Sequence, residues 1–167
     1  MKNVSQVCSR DTLPLLAEAL GLNGSIRLPA TGTSMVPAIH PGDTLTIHPV
    51  KECEVAVGDL VVFAAEEALV VHRVVRISKQ TGERQLVTRG DRLLRDDAPT
   101  PWNNVLGRVV QIKRRNHTVR PADAPAPTRG HRALCQVLQR SDHATSLFLR
   151  ATALWNELGS KGNMRRA

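Results

Sequence analysis

The sequence predicts a mainly β fold with antiparallel strands, a short helix before the strands and a long amphipathic helix after them. Three observations carry this. Runs rich in Val, Leu and Ile recur between residues 25 and 112, and Gly-Asp pairs at 42–43, 58–59 and 90–91 punctuate them. Hydrophobic residues make up 41% of the 167-residue chain, yet there are only two Trp, two Phe and no Tyr, so branched aliphatic side chains must build the core. Helical periodicity is confined to the two ends.

Taken in order, residues 12–20 read as a helix, capped by Asp11 or Thr12, stopped by Gly21 and lying as a lid on the core. Residues 24–30 alternate like a strand, and Pro29 gives that strand an edge position. Thr44 to His48 is a period-two strand. Leu60 to Phe63 and Ala68 to Ile77 form a hairpin, the second arm being the longest β-type run. Gln85 to Thr88 leads into the third Gly-Asp turn. Asn104 to Ile112 closes the set, with Gly107 marking a bulge or a close approach.

The boundaries follow from composition. Residues 1–24 form an N-terminal helical segment, 25–115 the β core, 116–128 a proline-rich linker and 129–167 a basic amphipathic helix with its tail. In that helix Leu134, Val137, Leu138, Ala144, Leu147, Phe148, Ala151, Leu154, Trp155 and Leu158 recur at three- and four-residue steps. The net charge of +8 is uneven. Residues 1–112 hold 12 basic and 12 acidic side chains, and residues 113–167 hold 11 and 3. A balanced core argues against nucleic-acid binding and leaves the tail as the part that meets an acidic partner or anionic lipid. Packing of the stripe on the β core, or against a second copy in a homodimer, competes with peripheral membrane contact through residues 129–158.

Cys8, Cys53 and Cys135 are odd in number and far apart, which points away from a disulfide framework or a zinc site. His40, His48, His117, His131 and His143 show no metal-ligand spacing. No metal or cofactor is called for. No window reaches the roughly 18 apolar residues of a membrane span, so the chain reads as cytoplasmic, or peripheral to a membrane at most.

The chemistry centres on Thr31-Gly32-Thr33-Ser34-Met35-Val36-Pro37, where small residues, two prolines (Pro37 and Pro41) and a Gly-Asp turn suit a hydroxyl that is presented rather than packed. Ser34 is the candidate nucleophile. A serine hydroxyl needs a base and a group to orient that base. His72 lies between Val70 and Val74 on one face of its strand, while Leu69, Val71, Arg73 and Val75 share the other. A neutral imidazole there can accept a proton from a serine. Asp91, Asp96 and Asp97 are interleaved with arginines after the third Gly-Asp turn, and any of them could bond the second ring nitrogen. A salt-bridged surface loop is the plainer reading of that stretch.

The ordered series of boxes is specific. A Gly-x-Ser-Met-x-Pro-like box, two Gly-Asp turns, a histidine-bearing strand, a Thr-Arg-Gly-Asp box and a Gly-Arg-Val strand resemble the type I signal peptidase and SOS-repressor superfamily of serine peptidases, across residues 25–112. Val71-His72-Arg73-Val74 looks like the Val-His-Arg-Val segment of the endoplasmic-reticulum and archaeal type, in which histidine replaces the usual lysine base. The resemblance implies a coiled antiparallel sheet, with Ser34 as nucleophile, His72 as base, Asp97 as orienting acid and Asp91 as a supporting carboxylate. It also implies an oxyanion hole from the Ser34 N–H and the segment at Gly32. The expected activity is that of a serine endopeptidase cleaving a peptide or leader bound as an extended strand, through an acyl-enzyme and without metal or cofactor. The alternative is a non-catalytic binding module that docks through its basic C-terminal helix.

Overall fold

The structure, a computed structural model, describes residues 6–9, 12–65, 68–80, 83–115 and 117–122. The expected amphipathic helix and tail at 129–167 and most of the expected linker lie outside the described residues. Those described form a curled antiparallel sheet of nine strands with one short α-helix: β1 (Gln6–Ser9), α1 (Leu13–Asn23), β2 (Ile26–Pro29), β3 (Thr44–His48), β4 (Leu60–Ala64), β5 (Ala68–Gln80), β6 (Glu83–Arg89), β7 (Thr100–Pro101), β8 (Val105–Arg114) and β9 (His117–Val119).

The strand order is β2-β3-β8-β4-β5-β6-β7, with β1 added on β5 and β9 on β8. β2 is an edge strand, where the missing N–H of Pro29 costs no ladder bond. β5 is the long central strand. β4 runs along one of its edges opposite residues 69–73, while β1 and β6 share the other, opposite 68–70 and 73–80. His72 therefore falls at the junction of three strands.

β4 is buried at every position, which explains its continuous apolar run. Leu60, Val62, Leu69 and Val71 face a core cluster with Leu45, Ile47, Met35 and Ile112; Val61, Phe63, Val70 and Val74 face a second with Val55 and Leu86. Each such side chain contributes roughly 1.5–3 kcal/mol on burial. Gly107 sits at a close approach of β8 to β3: a Cβ there would strike the His48 carbonyl oxygen and the Ile47 side chain. The close approach read from the sequence is present, beside irregular registers on both edges of β8.

Three expectations need correction. α1 runs through Gly21 and ends only at Gly24, whose φ of 66° lets its N–H reach the Leu20 carbonyl; without a Cβ, glycine adopts that turn without strain. Residues 6–9, placed by sequence in a helical segment, form a strand on β5. Residues 117–119, placed in the linker, pair with 112–114 as β9, and Val119 packs against the first core cluster.

Candidate active site

Three segments converge: the 30–43 loop between β2 and β3, the middle of β5, and the 90–97 loop after β6. The first is closed at its neck by backbone bonds from Ala30 N–H to the Asp43 carbonyl and from Gly42 N–H to the Ala30 carbonyl, both 2.8 Å. The Asp43 carboxylate accepts the His40 N–H at 2.8 Å and a two-nitrogen grip from Arg114, which also reaches the Ala38 carbonyl. Met35, Val36, Ala38 and Ile39 are buried and anchor the loop in the core, and the Val36–Pro37 peptide is cis. Gly32 takes a φ of 73° two residues before Ser34.

Ser34 is thus packed, with 0% of its surface exposed, and not presented on a projecting turn as the sequence suggested. The apolar anchors on its C-terminal side draw the whole segment inward.

The Ser34 Oγ lies 2.9 Å from His72 Nε2, and His72 Nδ1 lies 2.6 Å from Asp97 Oδ2. A carboxylate only accepts, so Nδ1–H is the donor of that bond, and the tautomer protonated there leaves Nε2 able to accept the serine hydroxyl. Neighbours on β4 flank the ring. Val61 stands opposite it in β4, and Phe63 meets it edge to face with centroids 6.1 Å apart.

Of the three aspartates, Asp97 is the one on the ring. Asp91 forms a buried two-point pair with Arg73, at 2.8 Å to Nε and 2.7 Å to Nη2, and Arg73 also donates to the Gly58 carbonyl. Asp96 pairs with Arg89 at 3.2 Å near the surface. Ser34, His72 and Asp97 are brought into one line; Asp91 stands apart from it.

Three contributors had no sequence signal of their own. Thr88 donates its hydroxyl to Asp97 Oδ2 at 2.6 Å. Arg92 ties the two loops, its N–H bonding the Ser34 carbonyl and its guanidinium the Thr33 hydroxyl, both at 2.8 Å. Gly90 fits against the pair itself: a Cβ there would lie 2.9 Å from the Ser34 carbonyl oxygen and 3.0 Å from His72 Nε2. In the sequence Thr88 and Gly90 were legible only as members of the Thr-Arg-Gly-Asp box, and Arg92 only as the residue after it. Among the described residues no His, Cys, Asp and Glu side chains cluster as metal ligands would, and no helix is long and apolar enough to cross a membrane.

Comparison with known proteins shows what the chain is similar to. The signal peptidase complex catalytic subunit SEC11C of dog (Canis lupus familiaris), human (Homo sapiens) and mouse (Mus musculus) is in each case 37% identical to this chain over 67 residues, which is 38% of this chain. The match spans only 35% of the length of those relatives. The family model described as Peptidase S24-like matches residues 3–110, from before β1 into β8 and across Ser34, His72 and Asp97, and by that match the chain belongs to the Peptidase S24-like family.

Proposed function

We propose that this protein is a serine endopeptidase of the signal-peptidase-like kind, with Ser34 as nucleophile, His72 as general base and Asp97 as the group that orients the base. The observation that carries the reading is the continuous hydrogen-bonded line from the Ser34 hydroxyl through both nitrogens of His72 to Asp97, in a family of peptidases. Ser34 Oγ attacks the scissile carbonyl carbon while its proton passes to Nε2, and the Nδ1–H bond to Asp97 stabilises the imidazolium so formed. As the tetrahedral intermediate collapses, the C–N bond breaks and Nε2 returns the proton to the leaving amine. Water then attacks the acyl-enzyme with the same histidine as base.

The Ser34 N–H, with the Gly32 segment, is the proposed oxyanion donor, and removal of one such donor costs about 10²–10³ in rate. Asp91 supports the site through Arg73. Substrates are peptide or protein segments bound as extended strands, and the likeness to signal peptidase subunits favours leader-like sequences. The basic residues 129–158 are the proposed contact to a membrane surface.

Because Ser34 is buried, the test uses a small serine-directed acylating probe. Wild type should be labelled, and Ser34→Ala and His72→Ala should each lose about 10⁴–10⁶ of the rate while remaining folded. Labelling that survives in Ser34→Ala, or folded wild type that resists the probe, overturns the reading.

A further inference from the structure

Asp97 uses one oxygen twice. Its Oδ2 accepts both His72 Nδ1–H and the Thr88 hydroxyl, each at 2.6 Å, while among the described residues Oδ1 takes no hydrogen bond. A carboxylate can exchange its oxygens by a turn about its terminal torsion, which has only a broad, shallow preference. A lone contact to an imidazole would not fix which oxygen faces the ring, nor at what angle.

Thr88 is built to fix both. It lies opposite Val74 across the β5–β6 ladder, and Val74 is two residues from His72, so Thr88 projects from the face that carries the imidazole. It is fully buried, so water does not compete for its hydroxyl. Its carbonyl also accepts the Asp97 backbone N–H at 2.8 Å. Thr88 thus grips Asp97 at two points, the main chain setting where the loop returns and the hydroxyl setting how the carboxylate is turned.

We infer that Thr88 is a positioning residue for the Ser34–His72–Asp97 line, its hydroxyl locking Oδ2 of Asp97 onto His72 Nδ1. The hydroxyl also draws charge from the oxygen that stabilises the imidazolium, so it tunes the pair as well as aligning it. The inference rests on the peptidase reading only for its effect on rate; the lock on the imidazole stands on the geometry alone.

The test compares Thr88→Val with Thr88→Ser in the full chain. Valine keeps the branched shape and the backbone bond and removes only the donor. Two readouts are taken: the low-field proton resonance of His72 Nδ1–H, assigned by its loss in His72→Ala, and the rate of Ser34 acylation by the small probe. In Thr88→Val the resonance should move upfield or broaden and acylation should fall by about tenfold to a hundredfold, as expected for a misplaced catalytic group. Thr88→Ser should restore both. A folded Thr88→Val protein with the wild-type resonance and rate overturns the inference, as does a Thr88→Ser protein no better than Thr88→Val. If wild type itself is not acylated, the peptidase reading fails and the resonance still decides the role of Thr88.

Discussion

Neighbouring residues of β5, His72 and Arg73, each take one carboxylate from the same loop, and the two pairs are built for opposite ends. Arg73 spends Nε and Nη2 on Asp91 and Nη1 on the Gly58 carbonyl, and both partners are buried, at 6% and 2% exposure of their side chains. Its charge is matched by one buried carboxylate. His72 bonds Asp97 through one nitrogen and keeps the other against a hydroxyl, and Asp97 is 24% exposed. The difference separates an anchor for the loop from the pair the proposed mechanism needs: the first is closed on itself, the second continues the hydrogen-bonded line to the Ser34 hydroxyl.

The largest effects should separate the two aspartates. Asp97→Asn offers an amide in place of the acceptor, favours the wrong tautomer of His72, and should lower the acylation rate by about 10⁴ with little change in stability. Asp91→Asn leaves the Arg73 guanidinium buried with half of its pairing gone, and should cost roughly 3–5 kcal/mol in denaturant unfolding. If Asp91→Asn instead abolished acylation at unchanged stability, the division between anchor and chemistry would be wrong.

A smaller effect sharpens the geometry. The Cβ introduced by Gly90→Ala would press on the Ser34 carbonyl oxygen at 2.9 Å and on Nε2 at 3.0 Å, closer than ordinary contact allows. Backbone cannot yield as a side-chain tip can, so the Ser34–His72 spacing should open. About a hundredfold loss of acylation is expected, with a stability loss of only about 1–3 kcal/mol. A Gly90→Ala protein with the wild-type rate would show that the two loops are looser than their bonds to Arg92 imply.

The same contrast explains what the sequence made legible. His72 and Ser34 stood out because each is a reactive side chain in a setting of small or apolar neighbours, and the order of boxes carried the family. The choice among Asp91, Asp96 and Asp97 did not come from the residues themselves, since all three share one arginine-rich loop and only the path of the backbone decides which reaches the ring. The three Gly-Asp turns look alike in sequence, yet Asp43 and Asp59 each accept an N–H three residues back while Asp91 reaches across to Arg73. Thr88 and Gly90 were read as strand, turn and members of the Thr-Arg-Gly-Asp box, with no role at the site attached to either. β1 and β9 are too short to show a period, and pairing to a long neighbour makes them strands.

The effect that is smallest at neutral pH lies in the loop that carries Ser34, where His40 is held near Arg114 and Asp43. Burial and the Arg114 guanidinium push the His40 pKa down from 6.5 to about 4, against weaker opposing pulls from Asp43 and the Pro37 carbonyl. The unfolded chain therefore takes up a proton near pH 6.5 that the folded loop refuses until about pH 4, so this histidine costs stability as pH falls through that window and adds no slope outside it. His40→Gln removes the titrating group. Carboxylates titrate in the same range, so the quantity to read is the difference between wild-type and His40→Gln urea midpoints at each pH. It should grow in favour of the variant from pH 6.5 down to about 4 and then level off. Parallel curves would mean that the imidazole is solvated, and that the Asp43–Arg114 pair holds the nucleophile loop without enclosing it.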